Sequence, residues 1–131
     1  MPNDPDAPTQ DPSLYELLGG EHAIEAAAGL FYEKVLADPL TAPFFQNLDM
    51  PAQVRKQIAF MAHAFGGPNG YKGRDLRTAH RPLVIQGLGD AHFDAVAGHL
   101  RTTLQELGVA EALVERSLAI VGSVRNDVLD R

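Results

Sequence analysis

Apolar residues recur at helical spacing along most of this chain, and no stretch alternates with the period of two that a half-buried strand requires, so the fold class is all-α. The punctuation between helices is equally legible. Ser13 followed by Glu16 forms a capping-box pattern ahead of Leu14, Leu17 and Leu18, and Gly19-Gly20 stops this very short first helix. From Glu21 to about Ala37, Ile24, Ala27, Ala28, Phe31 and Val35 share one face, Tyr32 lies on its flank, and Asp38-Pro39 ends the run. Pro43-Phe44-Phe45 reads as a tight apolar turn. A further helix covers about Met50 to Phe65 and stops at Gly66-Gly67-Pro68. A short helical piece carries Leu76, Ala79 and His80, a connection passes through Gly87 and Gly89, and two long amphipathic helices span about Ala91 to Leu107 and Ala110 to Leu129.

Residues 1–12 hold Pro2, Pro5, Pro8 and Pro12 among polar residues, a composition that cannot bury apolar surface; a mobile tail is expected there, ahead of one domain over residues 13–131. A chain of 131 residues, 45% hydrophobic, supports one core and one site. The net charge of -6 argues against broad binding to nucleic acid or to an anionic membrane surface. No apolar run reaches the roughly 18 residues of a membrane span, and no basic, apolar leader opens the chain. The absence of cysteine excludes disulfides, thiolate zinc sites and iron–sulfur clusters. A cytoplasmic monomer is the expectation.

Candidate chemistry starts with amides in an apolar stripe. On a wheel of about 100° per residue, Gln53, Gln57, Phe60, Met61 and Ala64 fall on one side of their helix. A buried amide without partners costs about 1–3 kcal/mol, so the two glutamines sit either at a solvent edge or against polar groups inside. The Tyr32 hydroxyl carries the same demand, and together the three would make a pocket of neutral donors. Of the five histidines, His22, His63, His92 and His99 read as surface or boundary residues. His80 differs, standing beside Lys72, Arg74, Arg77 and Arg81 with only Asp75 to oppose them in an acidic chain. That cluster is either a solvated face or the setting for an anionic, metal-bearing ligand. A haem meets the second description, needing an imidazole for iron, apolar side chains for the macrocycle and cations near its propionates.

The segments Leu14-Tyr15-Glu16-Leu17-Leu18-Gly19-Gly20, Phe31-Tyr32-Glu33-Lys34-Val35-Leu36, Phe44-Phe45, Phe65-Gly66-Gly67-Pro68, Ala79-His80 and His92-Phe93-Asp94-Ala95-Val96 together resemble the group I truncated haemoglobins, in order, from residue 14 to about 129. The resemblance implies two antiparallel helix pairs crossed over a haem, with His80 as the iron ligand. It implies that Tyr32, Gln53 and Gln57 face the bound gas, and that Phe45 packs on the haem. Phe44, Phe60, Met61, Leu76, Val84 and Phe93 are expected to line the rest of the pocket, with Lys72 and Arg77 also at the cofactor. Two positions depart from the cyanobacterial members: Lys56 stands where a histidine can take the sixth iron position, and Val124 where a histidine can bond the haem vinyl covalently. Lys56 would have to lose its proton to act as a ligand. Lacking cysteine and that histidine, the chain is expected to hold haem b non-covalently.

The function implied is reversible binding of O2, with CO and NO as further ligands. Several neutral hydrogen bonds, each about 0.5–1.5 kcal/mol, would slow O2 release, which suits storage, sensing or scavenging better than bulk oxygen transport. An alternative is NO dioxygenase activity, which would need a separate reductase because the chain has no room for a flavin or nicotinamide domain. A cofactor-free helical regulatory module is the third reading, and it would be colourless.

Overall fold

The computed structural model describes residues 12–46, 48–66 and 74–131, without the side chains of residues 74–77. Seven α-helices follow one another among the described residues: α1 (Leu14–Leu18), α2 (Gly20–Ala37), α3 (Met50–Ala64), α4 (Arg74–Ile85), α5 (Asp90–Glu106), α6 (Glu111–Ser123) and α7 (Arg125–Val128). A single 3-10 turn, Ala42–Phe45, lies between α2 and α3, where the apolar turn is expected.

The capping box forms as the sequence implies, with the Ser13 hydroxyl accepting from the Glu16 N–H at 3.2 Å and the Glu16 carboxylate accepting from the Ser13 N–H at 3.1 Å. Gly19 ends α1 in the left-handed region at φ 118°, and a Cβ there would lie 2.8 Å from that of Ala23. Only one of the two glycines is therefore a stop, since Gly20 already begins α2. The short α1 is tied down by the end of α3: the Tyr15 N–H donates to the Phe65 carbonyl at 2.7 Å.

That contact joins the start of the α1–α2 segment to the end of α3, while Tyr32, late in α2, meets Gln53, early in α3. The pair is thus antiparallel. The second pair is too: Arg101 of α5 reaches Glu115 of α6 at 2.6 Å, and Arg125, beyond the end of α6, reaches Asp94 at the start of α5. The two pairs meet where α2 crosses α5, stapled at the rim by Lys34 to Glu106 at 2.8 Å and His99 to Asp38 at 2.7 Å. Ile24, Phe31 and Val35 of α2, Met61 of α3, Leu100 and Leu104 of α5 and Val114 of α6 fill the core between them. Burying each side chain of that size contributes about 1.5–3 kcal/mol.

Two helices differ from the sequence expectation. The helix bearing His80 runs on through Pro82 to Ile85. Proline inside a helix removes one backbone hydrogen bond, yet the helix continues past Pro82, and Pro82 and Leu83 line the central cavity. The last helix is broken at Val124 (φ -105°, ψ 8°) into α6 and α7. Gly122 and Ser123 precede the break, and the Ser123 hydroxyl turns back onto the Ile120 carbonyl, a local bond that competes with continuation. No helix among the described residues is long and apolar enough to cross a membrane.

Candidate haem cavity

Between the crossed pairs and α4 lies a cavity of about 770 Å³, inside the range of roughly 300–1,000 Å³ that suits a bound organic cofactor. Phe31, Phe44, Phe45, Phe60 and Phe93 line it, five of the six phenylalanines in the chain. Leu83 and Leu88 on the α4 side and Val96, Leu100 and Val121 on the α5–α6 side complete an apolar surround.

Three polar side chains converge on one wall. Tyr32 is buried, its ring held edge-on by Phe31 at 5.0 Å and Phe45 at 5.7 Å between centroids. Its hydroxyl accepts from the Gln53 amide at 3.3 Å and donates to the Gln57 carbonyl oxygen at 3.4 Å. Burial pushes the phenol's pKa above 10.0, and the Gln53 hydrogen bond only partly opposes that. The group therefore stays a neutral donor across the physiological range. The amides that looked anomalous in an apolar stripe are thus satisfied by one another through a phenol, from the inside rather than by solvent.

His80 lines the same cavity from α4. An imidazole thus enters from one helix and the neutral donors from α2 and α3, into one cavity lined by phenylalanines. This donor set fits a haem: a nitrogen ligand, an aromatic slot for the macrocycle, and hydrogen-bond donors where a small ligand would sit. Lys56 and Val124 also line the cavity, Lys56 with its side chain exposed.

Some expectations require correction. Met61 is 1% exposed within the core cluster and is not among the residues that line the cavity, whereas its neighbour Phe60 on α3 is. Val84, partly buried, is also absent from the lining, where Pro82, Leu83 and Gln86 stand on and just beyond α4. Arg81, from the basic cluster, pairs with Asp130 at 3.3 Å. Lys72 lies outside the described residues, as do the side chains of Leu76 and Arg77. His22 and His63 are exposed, but His92 lines the cavity and His99 is partly buried against Asp38. A glycine three residues before His92 is the signal that could have marked it: the Gly89 N–H donates to its Nδ1 at 2.9 Å.

Residues 13–130 match the bacterial-like globin family. The group 1 truncated haemoglobin LI410 of Chlamydomonas moewusii is 48% identical over 90% of this chain and 68% of its own length. This chain belongs to the group 1 truncated haemoglobins. Its architecture is theirs: the 2/2 haemoglobin of Synechococcus sp. PCC 7002, solved in the cyanomet state with covalently attached haem, superposes with a TM-score of 0.87 at 51% identity over 92% of this chain and all (100%) of that one. The truncated haemoglobin of Tetrahymena pyriformis, solved in the ferric form as a tyrosine-to-phenylalanine variant, gives 0.84 at 42% identity over 90% and 98% of the two chains. Membership makes this a haem-based gas-binding protein.

Proposed function

We propose that this truncated haemoglobin holds haem b without a covalent bond, through His80, and binds O2 reversibly under the hydrogen bonds of Tyr32, Gln53 and Gln57. The observation that carries the reading is the convergence of an imidazole and a phenol–amide network on one phenylalanine-lined cavity. A haem held there supplies a ferrous iron that takes a diatomic gas. The chain's own residues then decide how long the gas stays. Tyr32 donates its proton to Gln57 at 3.4 Å, a long and therefore weak bond. A ligand that gathers negative charge competes successfully for that proton, and the amide of Gln53 is already aimed at the same oxygen. O2 meets that description better than CO does, so the wall selects for O2. Val124 lines the cavity with an aliphatic side chain that has no nitrogen to bond a vinyl group, which supports non-covalent retention.

The test is the absorption spectrum of the purified protein in ferric, deoxy-ferrous, O2 and CO forms, for wild type and His80→Ala. Haem bands that shift with both gases, and are lost in His80→Ala unless imidazole is added, are expected. A wild-type protein that takes up no haemin, or a His80→Ala protein with unchanged spectra, would overturn the assignment.

A further inference from the structure

We propose that His92 is a haem-carboxylate ligand: a neutral imidazole donor, locked in one tautomer by the backbone, that binds a propionate at the rim of the cavity. The inference rests on the haem reading above. His92 is the third residue of α5, partly buried, and lines the cavity. Its Nδ1 accepts the Gly89 N–H at 2.9 Å. A nitrogen that accepts cannot also carry a proton, so the ring hydrogen sits on Nε2 and that edge of the ring is a donor. The ring cannot swing away freely, because the edge of Phe44, itself a cavity residue, meets it at 4.9 Å between centroids and 74°. No other hydrogen bond to this ring forms among the described residues.

The surroundings suit a carboxylate. The first turn of a helix favours negative charge. The two acids nearby on α5 are already matched, Asp90 by Arg125 at 3.0 Å and Arg131 at 2.8 Å, and Asp94 by Arg125 at 2.6 Å. Of the strong acceptors a haem carries, its two propionates are the ones that reach a rim, since the macrocycle belongs among the phenylalanines. Arg81, from the cluster expected to meet them, is engaged by Asp130. A capping histidine with a spare donor is a group the described α5 side of the rim offers in its place.

The experiment separates capping from haem binding. In His92→Gln and His92→Glu the new side chain can still accept the Gly89 N–H in the manner of a capping box. Only Glu sets a carboxylate against the propionate. Haemin transfer to an excess of apomyoglobin is followed for wild type and both variants, with haemin and with its dimethyl ester. With haemin, His92→Glu is expected to lose the cofactor about tenfold faster than wild type, and His92→Gln within about threefold, since hydrogen bonds to charged groups are the stronger ones. With the ester the differences should collapse. Equal rates for wild type and His92→Glu, or a difference that survives esterification, would overturn the proposal and leave His92 a helix cap. Failure of wild type to take up haemin at all would instead strike the haem reading, so the two failures are distinguishable.

Discussion

Replacing Tyr32 with Phe tests the distal wall most directly, because it deletes one oxygen and leaves the ring between Phe31 and Phe45. That oxygen links Gln53 at 3.3 Å to Gln57 at 3.4 Å, both near the long end of the hydrogen-bond range. Both glutamines are only partly buried, so either amide can turn to water once the phenol is gone. The fold should therefore lose no more than about 1 kcal/mol. A neutral hydrogen bond to the gas is worth about 0.5–1.5 kcal/mol, which corresponds to about two- to thirteenfold in a dissociation rate. Because Gln53 remains to donate in part, an acceleration of about threefold to fivefold is the expected value, low in that range. O2 release is measured by stopped-flow displacement with CO, and CO release by displacement with NO. CO gains little from a donor, so its rate should stay within about twofold. An unchanged O2 rate would show that the phenol does not reach the ligand, and equal acceleration for both gases would show that a change in cavity shape, not a lost hydrogen bond, is responsible. The wild-type O2 rate should also be flat from neutral pH to about pH 9, since burial raises the phenol's pKa above its ordinary value of 10.0. The neutral phenol supports the fold fully below that value, and this contribution is lost as the pH climbs through the raised pKa; a distal effect that titrates below pH 9 would contradict the burial argument.

Met61→Ala should cost about 2–5 kcal/mol in urea denaturation while leaving the ligand-bound spectra and O2 release nearly unchanged, because Met61 is in the core; altered gas kinetics without a stability loss would return it to the cavity. Asp90 is held below its ordinary carboxylate pKa of 3.8, first by the Arg131 hydrogen bonds and then by Arg125. Its stabilising effect is thus present above pH 3.8 and disappears as the pH falls through the lowered value. Asp90→Asn should accordingly lower the Tm at pH 7 and flatten the acid limb of the Tm profile, and a parallel downward shift at every pH would refute the linkage. Extraction with acid and butanone should strip all haem from the protein, since Val124 offers no bonding atom; haem remaining on the denatured chain in mass spectrometry would count against non-covalent binding.

Much of this protein was legible in one dimension. Helical periodicity, the Ser13–Glu16 capping box and the stops at Gly19 and Gly66 act within a few residues of the chain, where local hydrogen bonding and backbone freedom decide the outcome. The oddity of Gln53 and Gln57 in an apolar stripe was also visible, because an amide in such a place demands a partner. Which partner it finds was not. Tyr32 lies 21 residues from Gln53 and 25 from Gln57, and only the antiparallel packing of α2 on α3 brings them within hydrogen-bond distance. The same holds for the break at Val124, which lets α7 turn back so that Val128 joins the cavity wall and Arg125 settles 4.5 Å over the Phe93 ring. Met61 and Phe60 are neighbours on one helix, alike to a hydropathy pattern, and one enters the core while the other meets the cavity because their side chains point about 100° apart. A sequence specifies local conformation through short-range forces. The assignment of each apolar or polar face to core, cavity or solvent depends on where the other helices come to rest, and that was decided by tertiary packing.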